Sequence, residues 1–253
     1  MGSVFTIAKK DFVSFFTSVR GTIIVAVFLF LTGLFFINFV ETFMQMSMQS
    51  AGGAGGPALE QLLRALFYNM HFLIILLIPA VTMSTFAEEK RSHTIRILQT
   101  APISSLQIVM GKFLAASGLV FIMITAASVY PIYTIFYGNP DIGPIITGLV
   151  GLLLLTMSHV AFGLWISSMT RSQLLALLFT FGGLFLLLIL NWFAGNISGN
   201  GWLENAFKYL ATTPHLDVLL KGMVTVSDVG YFACFTALFL FFTNVVIDSL
   251  RWR

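Results

Sequence analysis

EEKRSHTIRILQTAPISSLQIVMGK, residues 88–112, is the one long charge-rich interruption between two runs apolar enough to cross a bilayer. Its reading decides the fold, because almost everything on either side is hydrophobic. Apolar residues make up 58% of the 253-residue chain and charged residues 9%, where a soluble domain carries about a quarter charged residues. A spanning helix needs roughly 20 mostly apolar residues, and six stretches qualify: 22–40, 66–87, 113–136, 145–169, 174–194 and 229–247. The predicted class is an all-α integral membrane protein. Residues 1–253 are expected to form a single transmembrane domain, with no room for a separate soluble one.

Basic residues near span ends stay on the cytoplasmic side. With a cytoplasmic N-terminus, the inner segments hold Lys9, Lys10, Arg20, Lys90, Arg91, Arg96, Lys112, Arg171, Arg251 and Arg253, against Arg64, Lys208 and Lys221 outside. This bias predicts a multi-pass protein of the cell (inner) membrane with both termini and the 88–112 loop cytoplasmic. The net charge of +3 then reflects anchoring to anionic lipid headgroups and calls for no nucleic-acid partner. In residues 1–20, Phe5, Ala8, Phe12, Phe15 or Phe16, and Val19 recur at steps of three and four, with Lys9, Lys10, Asp11 and Ser14 between them. The spacing predicts an amphipathic interfacial helix on the inner surface; a frayed tail is the alternative.

Within the loop, Glu88-Glu89-Lys90-Arg91 marks the exit from the second span, since one such charge at mid-bilayer costs about 2.5–3.5 kcal/mol. Residues 94–100 then place Ile95, Ile97 and Leu98 among Arg96, Gln99 and Thr100, a stub helix too short to stand alone. Pro102 stops it, and Ser104 with Gln107 has the form of a capping box opening the third span. This pattern suits a foot lying along the membrane and tying two spans together. An ordinary charged loop that only fixes topology fits the same composition.

The run Ala87-Glu88-Glu89-Lys90-Arg91, then Thr94-Ile95, Ile97-Leu98, Ala101-Pro102-Ile103-Ser104 and Gly111-Lys112, closely resembles the cytoplasmic loop of ABC-2 type transporter permeases. The resemblance spans most of the chain and implies the type V exporter-like architecture of an interfacial helix and six spans. In that family the stub is a coupling helix docked on an ATPase subunit, which implies coupling roles for Glu88, Glu89, Lys90, Arg91, Thr94, Ile95, Arg96 and Leu98. Within the family, Leu250-Arg251-Trp252-Arg253 and Lys221-Gly222 followed by Asp228 look similar to the bacterial gliding-motility and multi-copper-enzyme-maturation group. His93 stands where the family usually has glycine, and Arg96 where it often has an acid. The resemblance also implies that the extracytoplasmic segment, 195–227, forms short helices dipping into the outer leaflet, where an auxiliary protein can bind.

No Gly-x-x-x-x-Gly-Lys-Ser/Thr stretch occurs, and such a loop is what cradles nucleotide phosphates. The expected partners are therefore separate ABC ATPase subunits, which supply ATP and Mg, and a second permease chain. The chain itself is expected to be non-catalytic and to hold no cofactor or metal. Its predicted function is that of a permease subunit driving export; a force-transmitting scaffold acting on an outer partner stays open as the alternative. Polar residues inside spans face partners or cavities, which singles out Asn69 and His71 near the outer end of the second span and His159 in the fourth. A lone histidine there reads first as an interhelical hydrogen-bond partner. Pro79 and Pro131 are expected to bend the second and third spans, and Cys234 to pack as a small apolar residue. With four histidines and one cysteine, the chain offers no metal-ligand spacing and no HExxH.

Overall fold

The computed structural model describes residues 2–49, 56–92, 94, 103–138, 140–196 and 201–250. Among these residues the fold is entirely helical, as an apolar environment requires, since a helix satisfies its own backbone where no water can. The elements are α1 (Gly2–Thr17), α2 (Val19–Gln49), α3 (Gly56–Thr82), α4 (Ala87–Arg91), α5 (Ser105–Ala127), α6 (Val129–Gly138), α7 (Ile142–Met169), α8 (Gln173–Asn196), α9 (Gly201–Leu210), α10 (Thr212–Leu220) and α11 (Val226–Ser249). Six stretches are long and apolar enough to cross a membrane: Val19–Met46, Leu59–Arg91, Ser105–Phe136, Ile142–Met169, Gln173–Phe193 and Val226–Ser249. They match the six expected from the sequence, the first three running about two to three turns longer and the others at most a few residues.

Burial sorts these spans into two sets. The apolar windows of the second, third and fourth are 72%, 67% and 56% buried, and those of the first, fifth and sixth 22%, 17% and 28%. The helices α3, α5 and α7 therefore form the centre, with α2, α8 and α11 around them. α11 packs along α7, and α2 against α3. The core is mostly apolar, with Phe28, Met70, Ile74, Ile78, Leu119, Met123 and Leu152 fully enclosed, and polar groups such as His71, His159 and Ser167 buried among them.

The amphipathic first segment is a helix, but its apolar stripe is divided. Phe5 and Phe16 are exposed, while Ile7 and Phe15 pack on the core and Phe12 meets α5. α1 lies so close to α5 that a Cβ at Gly111 would sit 2.8 Å from Ile7 Cγ2 and 3.2 Å from the Val4 carbonyl oxygen. Only glycine admits that approach. α5 begins with the expected capping box: Ser104 Oγ accepts from the Gln107 N–H at 3.3 Å, and Gln107 Oε1 accepts from the Ser104 N–H at 3.1 Å.

Two spans are jointed. The third divides at Ser128, between α5 and α6, because a proline ring clashes with the carbonyl four residues back and Pro131 lies four residues after Ala127, the last residue of α5. The second runs through Pro79 to Thr82, turns over residues 83–86, and resumes as α4. The fully buried Ser167 of α7 closes this joint. Its Oγ accepts from the Phe86 and Ala87 N–H groups at 3.1 and 3.2 Å and donates to the Met83 carbonyl at 3.2 Å. The joint thus keeps its backbone satisfied inside the bundle, as buried polar groups must be.

Within 195–227, α10 runs back against α7. Leu216 and Leu219 meet Gly151, Leu220 meets Gly148, and Thr147 Oγ1 donates to the Leu219 carbonyl at 2.6 Å. α9, by contrast, leaves Trp202 and Tyr209 exposed. Gly222, at φ 82°, makes the left-handed turn from α10 toward α11 that a side chain resists. His215 is held at both ring nitrogens, Nδ1 2.6 Å from Asp228 Oδ1 and Nε2 3.1 Å from the Tyr209 carbonyl oxygen, with its ring stacked 4.0 Å from Tyr231. Asp217 accepts from Tyr68 Oη at 2.7 Å and pairs with Lys221 Nζ at 2.5 Å. Burial alone would raise the Asp217 carboxyl, but the Lys221 and Tyr68 hydrogen bonds outweigh it and hold the group below its ordinary value. Cys234 departs from expectation: it is exposed, because α11 is a peripheral span whose apolar window is only 28% buried.

Two outcomes follow. Ser167→Ala leaves two N–H groups and one carbonyl unpaired and should cost about 1–3 kcal/mol, read as a lowered thermal midpoint in detergent. Ser168→Ala, whose Oγ bonds only within its own helix, should cost less in the same assay. For Asp217 the depressed folded pKa means stabilisation that is complete above the unfolded value of about 3.9 and is lost as pH falls through the lower folded value. The gap in midpoint between the native chain and Asp217→Asn should therefore be open at neutral pH and close on acidification.

Candidate functional site

At the end of the bundle that carries α4, one lysine gathers three elements. Lys112 lies on the third turn of α5 next to Gly111, and the close seating of α1 that Gly111 permits encloses it to 3% exposure. Its Nζ donates to Asp11 Oδ2 of α1 at 3.2 Å, to Glu89 Oε1 of α4 at 2.7 Å and to the Thr85 carbonyl in the α3–α4 joint at 3.0 Å. The Phe86 ring lies 5.3 Å from the ammonium, within cation–π range. An ammonium has three donors, and here each meets an acceptor, two of them charged. Burying an ion costs several kcal/mol unless its partners are well placed. This lysine has that compensation, so it fixes α1, the joint and α4 to α5.

α4 is fastened a second time. Lys90 Nζ donates to the Ser168 carbonyl near the end of α7, one of the last carbonyls a helix cannot satisfy internally. The five-residue helix Ala87–Arg91 is therefore tied to α5 through Glu89 and to α7 through Lys90. Glu88 faces the other way, 3.9 Å from Arg20 at the start of α2, with both side chains more than half exposed. Arg91 and Thr94 are exposed, and the Thr94 hydroxyl pairs with Ser92 at 2.9 Å. On the same end, Ser105 Oγ donates to Asp248 Oδ1 at 2.9 Å, joining the start of α5 to the end of α11.

The eight loop residues singled out in the sequence thus divide. Glu89 and Lys90 turn inward as ties, Glu88 faces Arg20, and Arg91 and Thr94 face outward. Ile95, Arg96 and Leu98, with His93 and most of the stub 94–100, lie outside the described residues, as does most of the glycine-rich tip 50–57. The sequence reading did not single out Ser167 or Ser168; it placed Asp11 only on the polar face of the first helix, and Lys112 only among the inner basic residues and in a motif. A signal was present for Lys112: a lone cation in VMGKFLAAS, where apolar residues fill the rest of the helix face.

His71 of α3 and His159 of α7 come together as a pair. Their rings stack at 5.7 Å between centroids with an interplanar angle of 20°, and both residues are fully enclosed. His71 Nε2 and both ring nitrogens of His159 have no hydrogen-bond partner among the described residues. The interhelical contact expected of His159 is therefore a ring stack in place of a hydrogen bond. Asn69 is partly buried two residues before His71, a spacing that points it to another face of α3. Among the described residues, no group of three or more His, Cys, Asp or Glu is placed to hold a metal ion.

These contacts tie α4 to two central spans and, among the described residues, assemble no metal set around it. A search of curated proteins returns no match. The family described as ABC-2 family transporter protein matches residues 5–247, nearly the whole of the fold described above. With six apolar spans and this match along almost its full length, the chain belongs to the ABC-2 family of transporter proteins.

Proposed function

We propose that the chain is the permease subunit of an ATP-driven exporter, paired with a second permease chain and driven by separate ABC ATPase subunits that bind ATP and Mg. The end carrying α4 faces the cytoplasm in this reading, in keeping with the basic residues gathered there. The observation that carries it is the double fastening of α4 to α5 by Glu89–Lys112 and to α7 by Lys90–Ser168. A short helix free at its outer face and rigidly tied at its inner face passes a displacement straight to the spans it is tied to.

Docking and transmission then belong to different residues. Arg91 and Thr94, exposed beside the stub, meet the ATPase. Glu89, Lys90 and Lys112 carry its motion into α5 and α7, and the jointed second and third spans accommodate the shift. The chain contributes the membrane path and the linkage, and no step of hydrolysis. The gliding-motility and copper-enzyme-maturation group is the subgroup whose terminal and outer residues it most resembles.

Two variants separate these roles. Reversing a charge at an interface rim weakens association, so Arg91→Glu should reduce recovery of the ATPase with the chain by roughly tenfold. Lys112→Met leaves the docking face intact but strands the Asp11 and Glu89 carboxylates, at a cost of about 3 kcal/mol. It should keep the ATPase bound while transport-coupled ATP hydrolysis falls. Full assembly and full coupled hydrolysis in both variants would sink the reading.

A further inference from the structure

A cleft of about 480 Å³ opens between the α1–α2 elbow and the α3–α4 joint, at the level where the spans meet their polar ends. Its polar wall holds Asp11, Glu88 and Glu89 against Arg20 and Lys112. Lys112 is saturated by its three acceptors, so among the described residues of this wall the cation available to a ligand is Arg20. Arg20 and Glu88 stand 3.9 Å apart, both more than half exposed, a contact worth at most about 1 kcal/mol and easily opened. Two further wall atoms, Thr85 Oγ1 and Glu89 Oε2, are buried with no partner among the described residues. Both can accept a hydrogen bond. Phe15, Val19, Ile24 and Ala80 give the same cleft an apolar part of its lining.

We propose that this cleft holds the headgroup of phosphatidylethanolamine, with the phosphate on Arg20 and the ammonium among Glu88, Glu89 and Thr85. Three features of the wall select that lipid. Cation and carboxylate stand side by side, as the two charges of a zwitterionic headgroup require. Three carboxylates against two cations leave the wall with a net negative charge, which disfavours a lipid of net negative charge. The unpartnered acceptors need a donor, which a primary ammonium has and the quaternary ammonium of phosphatidylcholine lacks. Guanidinium is suited to phosphate because its planar fork matches two oxygens. The apolar part of the lining then receives the first carbons of the acyl chains, which a soluble amine does not possess.

The test is native mass spectrometry of the full chain equilibrated in micelles with equal phosphatidylethanolamine and phosphatidylcholine of matched acyl chains. The native chain should retain phosphatidylethanolamine over phosphatidylcholine by about fivefold. Combined Arg20→Ala and Glu88→Gln should bring the ratio to parity, with gel filtration showing the variant monodisperse. Soluble glycerophosphoethanolamine should fail to displace the bound lipid. Parity in the native chain overturns the proposal without any variant. A preference unchanged in the double variant overturns it as well, and displacement by the soluble headgroup overturns the lipid assignment in favour of a free amine.

Discussion

A positive charge cannot be left alone inside a hydrophobic bundle, and much of the architecture at one end of this protein answers that constraint at Lys112. The ammonium needs acceptors from several directions, and no single helix can present them. α1 brings Asp11, α4 brings Glu89, and the interrupted backbone of the second span brings the Thr85 carbonyl. Gly111, one residue earlier, lets α1 come close enough to take part. The first helix is thereby fastened to the bundle by charge as well as by the apolar side chains that the sequence pattern emphasises.

Features written in neighbouring residues were legible in the sequence. The six spans show as apolar runs, and the start of α5 shows in Ser104 and Gln107, three residues apart, whose reciprocal bonds form as expected. The charged exit at Glu88–Arg91 forms a helix where the composition turns polar. The joint over residues 83–86 was not legible, because the atom that stabilises it belongs to Ser167, about 80 residues away. The same holds for Asp11 and Lys112, 101 residues apart. A pattern along the chain cannot show which distant side chain arrives to satisfy a carbonyl.

Partial legibility also had a physical cause. The regular stripe of α1 reads as one lipid-facing surface, but a helix beside another helix has two apolar neighbours, and the stripe divides between them. His159 reads as a lone polar residue needing a hydrogen bond, yet its neighbour across the helix interface is another aromatic ring, and the two imidazoles stack. Cys234 reads as buried because its surroundings are apolar. On a peripheral span, apolar surroundings accompany exposure just as readily.

The joint closed by Ser167 has a kinetic side. One hydroxyl holds two N–H groups and one carbonyl of the same turn, so α7 cannot slide past residues 83–87 by exchanging these bonds one at a time. Moving the hydroxyl away strands all three groups in an interior that offers no other partner. Sliding of α7 past this turn is therefore opposed by three hydrogen bonds at a single point, and the second span is pinned there to α7.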